Sequence, residues 1–197
     1  MPARDRICYA AFGAFLEYGY EGTSTLKIAT RAKVSKRELY AHFRNKHEIF
    51  SAGVAARARR MSQSLDLPQA KDRPSLAATL LAFGRSFLRE VTQPEVTAVI
   101  RLVVADASRS SELAETFYKI GREPPRLALA SFFEWAREAN LVAGADSERM
   151  AGQYFSLLMG DLQMQLMLRV ADPPSEAEIE RRARAATAAL MSLYPAE

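Results

Sequence analysis

The sequence predicts an all-α protein, a small N-terminal three-helix domain with a helix-turn-helix followed by a larger helical domain. Three observations carry this. Apolar residues recur three and four positions apart along most of the chain. Serine or asparagine stands three residues ahead of glutamate at Ser35-x-x-Glu38, Asn45-x-x-Glu48 and Ser175-x-x-Glu178, the pattern by which side chains cap a helix start. No stretch alternates apolar and polar residues long enough to demand a strand, and no internal repeat is visible.

The elements follow in order. Ile7, Ala11, Phe15 and Tyr18 repeat at helical spacing, and Gly19 is placed to end that helix. Residues 25–46 read as two short helices joined by a tight turn. Ile28, Ala29, Val34, Leu39 and Phe43 are spaced to bury one side of both against a third helix, which leaves Lys33, Lys36, Arg37, Tyr40, His42, Arg44 and Lys46 outward. The helix opened by Asn45 is expected to run to about Leu65, with Arg57, Arg59 and Arg60 on a solvated face. Pro68 to Pro74 is the clearest loop. Ser75 is expected to cap a helix to about Val91, and Pro94 suits the first turn of the next, which runs to about Ser108. Ser110 or Ser111 opens a further helical stretch that Pro124-Pro125 must kink or break. Helix resumes over about 126–139 and ends near Asn140 or Gly144. One helix over about 147–170 and a last one, opened by Ser175 and ending near Tyr194, complete the chain.

Composition narrows the function classes. The 197 residues suffice for one large or two small domains with a real core. No apolar run approaches the roughly 20 residues that span a membrane, and Met-Pro-Ala-Arg-Asp-Arg lacks the apolar core of a signal peptide. Cys8 is the single cysteine, so neither an intrachain disulfide nor a cysteine-based zinc site can form. A cytoplasmic location with no membrane contact is the expectation. The net charge of +4 is unevenly spread: residues 1–66 hold 12 Lys/Arg against 6 Asp/Glu, a balance of +6, and the rest hold 15 against 17, a balance of −2. Positive charge thus gathers on the small domain, as phosphate attraction requires.

Enzyme chemistry finds little support. His42 and His47 lie five residues apart and share no metal-binding helical face, Cys8 has no histidine nearby in sequence, and the nine glycines form no phosphate-cradling loop. No catalytic residue, metal or cofactor is expected.

A helix start that is basic and hydroxyl-bearing, beside a short turn, suits a DNA major groove. The residues Phe15, Gly19, Tyr20, Gly22, Thr23, Thr25, Ile28, Ala29, Val34, Ser35, Leu39, Tyr40, Phe43, Lys46 and Phe50 stand where the DNA-binding domain of the tetracycline-repressor (TetR) family has them, so the segment from about Arg4 to Ala52 resembles that domain. Two positions depart from the family pattern. Lys33 stands where glycine is usual, at a cost of about 1 kcal/mol if its φ is positive. Glu38 stands where a small or hydroxyl residue is usual. Two readings are open for it: closing the capping box to the Ser35 backbone, or accepting from a cytosine amino group.

The resemblance implies roles by position. Thr25 opens the second helix, where its hydroxyl and nearby N–H groups can hold a phosphate. Tyr40 and Lys46 match positions that contact the DNA backbone. Ser35, Lys36, Arg37 and His42 lie where side chains reach bases or neighbouring phosphates, and Lys36 and Arg37 are the candidates for a guanine edge. Two plainer readings stand beside these: His42 as an exposed helix residue, and Tyr40 as a ring packed on the third helix.

Residues 101–118, Arg-Leu-Val-Val-Ala-Asp-Ala-Ser-Arg-Ser-Ser-Glu-Leu-Ala-Glu-Thr-Phe-Tyr, resemble the AefR-like type of C-terminal domain in the same family. The implied layout is a DNA-binding domain over 1–50 and a helical effector-binding and dimerisation domain over 51–197. Ile179, Ala183, Ala186 and Leu190 recur at spacings of three and four, and the preceding helix is apolar on more than one face, with Leu158 and Leu162 among its residues. These six are expected to form a two-fold seam with a second copy. Phe83, Phe87, Arg101, Phe117, Phe132, Gln153, Tyr154 and Asp161 are candidates for an adaptable pocket taking a small apolar or amphipathic effector; the aromatics serve equally as plain core. The implied function is a homodimeric, ligand-responsive repressor bound to a double-stranded operator. The alternative is a DNA-binding regulator without an effector.

Overall fold

The computed structural model describes residues 1–63, 70–144 and 146–196, with backbone alone over 57–63. No strand occurs among the described residues. The expected end of the fourth helix near Leu65, the loop residues Pro68 and Gln69, and the Arg57, Arg59 and Arg60 side chains lie outside them.

Helix α1 (Ala3–Tyr18) ends on Gly19 at φ 73°, a left-handed turn that glycine enters without a Cβ clash. In α2 (Thr25–Ala32) the Ser24 side chain accepts the Lys27 amide, and Lys33 closes the helix in the left-handed conformation at φ 55°. The Lys33 amide reaches back to the Ala29 and Thr30 carbonyls, so the C-terminus is capped without the family's usual glycine. α3 (Lys36–His42) is capped by Ser35, whose hydroxyl accepts the Glu38 amide at 3.0 Å. α4 (Lys46–Gln63) starts on a reciprocal arrangement: Asn45 accepts the Glu48 amide and the Glu48 carboxylate accepts the Arg44 amide. Each such cap is worth about 1 kcal/mol.

Two elements begin earlier than their sequence signals place them. α5 (Arg73–Val91) is capped by Asp72, not Ser75. Ser75 sits three residues in and returns its hydroxyl to the Asp72 backbone, a full capping box with Pro74 in the first turn, where its missing N–H costs nothing. After α6 (Pro94–Asp106) and α7 (Ser111–Phe117), a single π-helical turn, Tyr118–Arg122, leads into α8 (Glu123–Glu138). Pro124 and Pro125 therefore open a helix; the irregular backbone lies just ahead of them.

The long helix expected over 147–170 is two. α9 (Ser147–Met159) stops at Gly160, whose φ of 46° and ψ of −130° suit a residue without Cβ, and α10 (Leu162–Leu168) follows. Apolar periodicity passes unbroken through that corner, which is why the pattern concealed it. α11 (Glu176–Leu193) starts on Ser175 as expected.

Packing divides the chain into two units, residues 1–59 with 98–122 and residues 60–97 with 123–197. In the first, Ile7, Phe15, Ile28, Leu39, Phe43 and Phe50 form a core joined by Leu102, Val103 and Leu113 from α6 and α7. Gly53 lets α4 approach α1, since a Cβ there would meet the Phe12 ring at 2.0 Å. In the second, α5, α8, α9 and α11 enclose Leu76, Leu80, Phe83, Phe133, Met150 and Tyr154. Arg73 ties this unit together by donating to the carbonyls of Leu141, Met191 and Tyr194 at 2.5, 2.7 and 3.0 Å.

Burial within the single chain bears on the expected seam. Leu158, Leu162, Ile179, Ala183, Ala186 and Leu190 are at most 4% exposed in the single chain. A side chain with no exposed surface has nothing left to bury against a second copy. The small residues of α11 serve α5 instead, because a Cβ on Gly84 would lie 3.3 Å from that of Ala183. The pocket candidates are divided between the two units. Arg101 and Phe117 belong to the first unit, and Asp161 is exposed at the start of α10, where its carboxylate holds Gln165.

Candidate nucleic-acid interface

The helix-turn-helix follows from three local facts. Ser24 and Ser35 fix where α2 and α3 begin, and Lys33 at positive φ reverses the chain within the three residues between them. Ile28, Ala29, Leu39 and Phe43 are buried beneath, so the rest of α3 must face outward.

Ser35, Lys36, Arg37, Tyr40 and His42 are all exposed on that face. Among the described residues Arg37 forms neither a hydrogen bond nor an ion pair, leaving its five donors available. The Lys36 ammonium stands 5.8 Å from the centre of the Tyr40 ring. His42 is exposed, with its ring 6.4 Å from Phe43. The Tyr40 hydroxyl and the Thr25 hydroxyl share a hydrogen bond at 3.0 Å, which pins the start of α2 to the outer face of α3. Tyr40 is 45% exposed, so it stands on the surface and is not packed into the core.

Lys46 differs from the other candidates. Its ammonium donates to the Tyr20 carbonyl at 3.0 Å, pairs with the Glu21 carboxylate at 3.1 Å and stands 4.4 Å from the Tyr20 ring centre. Burial pushes the Tyr20 phenol up to about 12, so that ring stays neutral beneath the cation. Lys46 is therefore a fixed charge at the junction of the first turn of α4 with the 19–24 loop. Lys27 plays a parallel part, donating to the Gly22 carbonyl at 2.9 Å with its ammonium over the Tyr18 ring.

Glu38 does not complete the capping box. Its amide takes the Ser35 cap, but its carboxylate meets the Arg6 guanidinium at 3.8 Å and does not return to the Ser35 backbone. The capping box is half made, and the carboxylate is drawn towards α1. Glu17, further along α1, is held below the usual carboxylate range by the Tyr18 hydroxyl and the Arg31 guanidinium.

Several neighbours of this surface carry no sequence signal. Lys27 lies in the first turn of α2, where a cation is disfavoured by the helix dipole and so reads as incidental. Arg6 and Asp106 reach the surface only through the tertiary fold: Arg6 to Glu38, and Asp106 to the Tyr20 amide at 3.2 Å. His47, which follows Lys46, meets the Thr116 hydroxyl at 3.1 Å and the Glu112 carboxylate at 3.5 Å. No grouping of metal-ligating side chains occurs among the described residues. The arrangement can donate to acceptors spread along an anionic surface, with the Arg37 guanidinium, unpaired among the described residues, on its outer face.

Comparison with known proteins agrees with this chemistry. Residues 7–52 match the family described as bacterial regulatory proteins, tetR family, and residues 78–196 match the AefR-like transcriptional repressor C-terminal domain. The fold superimposes on a TetR-family transcriptional regulator from Mesorhizobium loti with a TM-score of 0.83, at 28% identity over 98% of this chain and 96% of that one. A structure named Flavonoid-responsive Regulator FrrA aligns with a TM-score of 0.79 at 31% identity, again over 98% and 96%. An HTH-type transcriptional regulator of Mycobacterium tuberculosis is 28% identical over 118 residues, and this chain spans only 58% of that relative's length. Among the described residues no helix is long and apolar enough to cross a membrane. With matched models over both its head and its helical body, the chain belongs to the TetR family of DNA-binding, helix-turn-helix transcriptional regulators and is not an enzyme.

Proposed function

We propose that this chain is a homodimeric cytoplasmic repressor. Its paired heads set α3 into successive major grooves of a duplex operator, and a small organic effector in the helical domain releases them. The observation that carries this reading is the outward face of α3, where Arg37 is unpaired among the described residues beside Lys36, His42 and the bonded Thr25–Tyr40 hydroxyls. In this reading Arg37 and Lys36 read base edges, Ser35 and His42 reach bases or adjacent phosphates, and Thr25, Tyr40 and Lys46 hold the backbone. The division of labour is that of a reading domain over 1–50 and an effector and dimerisation domain over 51–197.

One head makes too few contacts to hold an operator alone. Two heads about 34–36 Å apart engage adjacent turns of one groove. Since the inward seam of α11 is used up within the chain, the dimer surface falls to the exposed apolar side chains of the same helices. These are Leu157 at 37%, Met164 at 58%, Leu168 at 64% and Leu193 at 57% exposure. Met164 and Leu168, four apart on α10, share one face.

The effector we infer is a planar, amphipathic aromatic molecule. A 31% identical relative is named for its response to flavonoids, and the second unit stacks Phe83, Phe87, Tyr154 and Phe155 with ring centres 4.7–6.2 Å apart. An effector preferring the released state by about 1–3 kcal/mol loosens the operator roughly 5- to 150-fold. A regulator without an effector is the second reading, favoured by the polar groups among the pocket candidates. The Tyr154 hydroxyl is bonded to the Leu80 carbonyl and to Thr187, and the Gln153 carbonyl oxygen accepts from Tyr194, so these atoms are already engaged.

Selection of random duplexes by the full chain, repeated across salt concentrations, tests the first part. A sequence-specific duplex with steeply salt-dependent binding is expected, and indifference to every duplex in dilute buffer sinks the reading. Titrating naringenin and quercetin against that complex tests the second. Release upholds an effector of this class, and affinity unchanged at saturation moves the conclusion to the effector-free regulator.

A further inference from the structure

Asp106 is the last residue of α6, and a carboxylate in the final turn of a helix opposes the helix dipole. It pairs with no cation among the described residues. It is half-buried, and its Oδ2 accepts the backbone N–H of Tyr20 at 3.2 Å, 86 positions away in sequence. The carbonyl of the same Tyr20 residue accepts the Lys46 ammonium at 3.0 Å and the Thr23 amide at 3.3 Å. Thr23 is buried, and its hydroxyl donates to the Gly19 carbonyl at 2.7 Å, one residue before Ser24 caps α2. Tyr20 is thus gripped on both its polar backbone atoms, by Asp106 on one and by Lys46 and Thr23 on the other.

We propose that Asp106 is a positioning residue for DNA binding: through the Tyr20 backbone it fixes the 19–24 loop, and so sets Lys46 and the first turn of α2 for the phosphate backbone. This rests on the reading of Lys46 and Thr25 as phosphate contacts. The sign of the effect separates it from general electrostatics. Asp106 is an anion within a cationic unit, so by charge alone its removal strengthens binding to a polyanion. As a positioning residue its removal weakens binding, and an amide that keeps an acceptor oxygen restores most of the loss.

The experiment uses the full chain and a fluorescein-labelled duplex recovered by selection on the wild type. Asp106→Ala is expected to weaken binding about tenfold, the scale of one hydrogen bond to a charged group. It should also lower the slope of log affinity against log salt by about one per head, because Lys46 is no longer held. Asp106→Asn should stay within about threefold of wild type, since it still accepts from the Tyr20 amide. In a Lys46→Ala background, Asp106→Ala should add almost nothing, as coupled residues require. Thermal melting of each variant checks that it is folded. If Asp106→Ala and Asp106→Asn both bind as tightly as wild type or tighter, the proposal is overturned while the DNA-binding reading stands. Should Asp106→Ala fail to fold, Asp106→Leu, which also lacks an acceptor, takes its place, and losses additive with those of Lys46→Ala count against the proposal. A wild type that binds no duplex removes the reading itself.

Discussion

The starts of the reading helices and the closure of the helical body rest on different kinds of bond. In the head, the polar groups that start α2, α3 and α4 join residues three to five apart: Ser24 with Lys27, Ser35 with Glu38, Asn45 with Glu48, Lys27 with Gly22, and longer links, Thr25 with Tyr40 and Tyr20 with Lys46 and Asp106, then hold those helices in place. In the body they join residues far apart: Arg73 with Leu141, Met191 and Tyr194, Tyr154 with Leu80, Arg85 with Glu180, Arg89 with Glu176. Local bonds leave a surface free to point outward. Distant bonds consume the polar groups that knit the body together, so few are left over for a ligand. The lesson is that an unpaired cation in the head signals a partner, whereas a polar side chain in the body signals closure.

The largest expected effect tests the distant kind. Arg73→Ala strips three carbonyls of a charged donor and should cost about 3 kcal/mol of stability in urea unfolding, at the charged end of the hydrogen-bond range. The affinity of the remaining folded protein for its duplex should not change. A cost under about 0.5 kcal/mol, as for an ordinary surface substitution, would dissolve the contrast between the two regions.

Next comes Arg37, whose guanidinium has no partner among the described residues. Arg37→Ala should relax preference at particular base pairs by about 1–3 kcal/mol, read by repeating the duplex selection, and leave the melting temperature in place. A variant with unaltered affinity and sequence preference would remove Arg37 from base reading.

Ser35→Ala probes the local kind, since the lost cap should cost about 1 kcal/mol of stability. Here binding to every duplex should weaken too, as the start of α3 frays. The smallest change runs the other way. Lys33→Gly relieves a left-handed non-glycine residue and adds chain entropy to the unfolded state, for a net gain of about 0.5–1 kcal/mol by thermal melting. Unchanged or lower stability would mean that the Lys33 turn carries no strain.

How far the sequence was legible follows the same division. Ser35 and Asn45 announced their helices because a cap involves only its own first turn, and Lys33 announced its left-handed turn by occupying a glycine position within an otherwise matched pattern. The sequence failed where geometry depends on something remote. Apolar spacing ran through Gly160 without showing the corner between α9 and α10, since periodicity records which residues are buried and not whether the axis continues. The spacing of Ile179, Ala183, Ala186 and Leu190 marked a packing seam correctly but could not say against what, and the partner proved to be the chain's own core. Glu38 had a local reading as the second half of a capping box, and its carboxylate instead meets a residue of α1.

By itself, then, the sequence determined the all-helical class, the starts of α3, α4 and α11, the left-handed turn and the cationic outer face of α3, because each is written within a few residues through side-chain capping, helical period and charge. Only the tertiary structure decided that α6 and α7 join the head, that Asp106 and Lys46 grip Tyr20 from two sides, and that the α11 seam faces inward. Those outcomes rest on contacts between segments tens of residues apart, and side-chain pattern along a chain holds no record of which distant surface will fold against it.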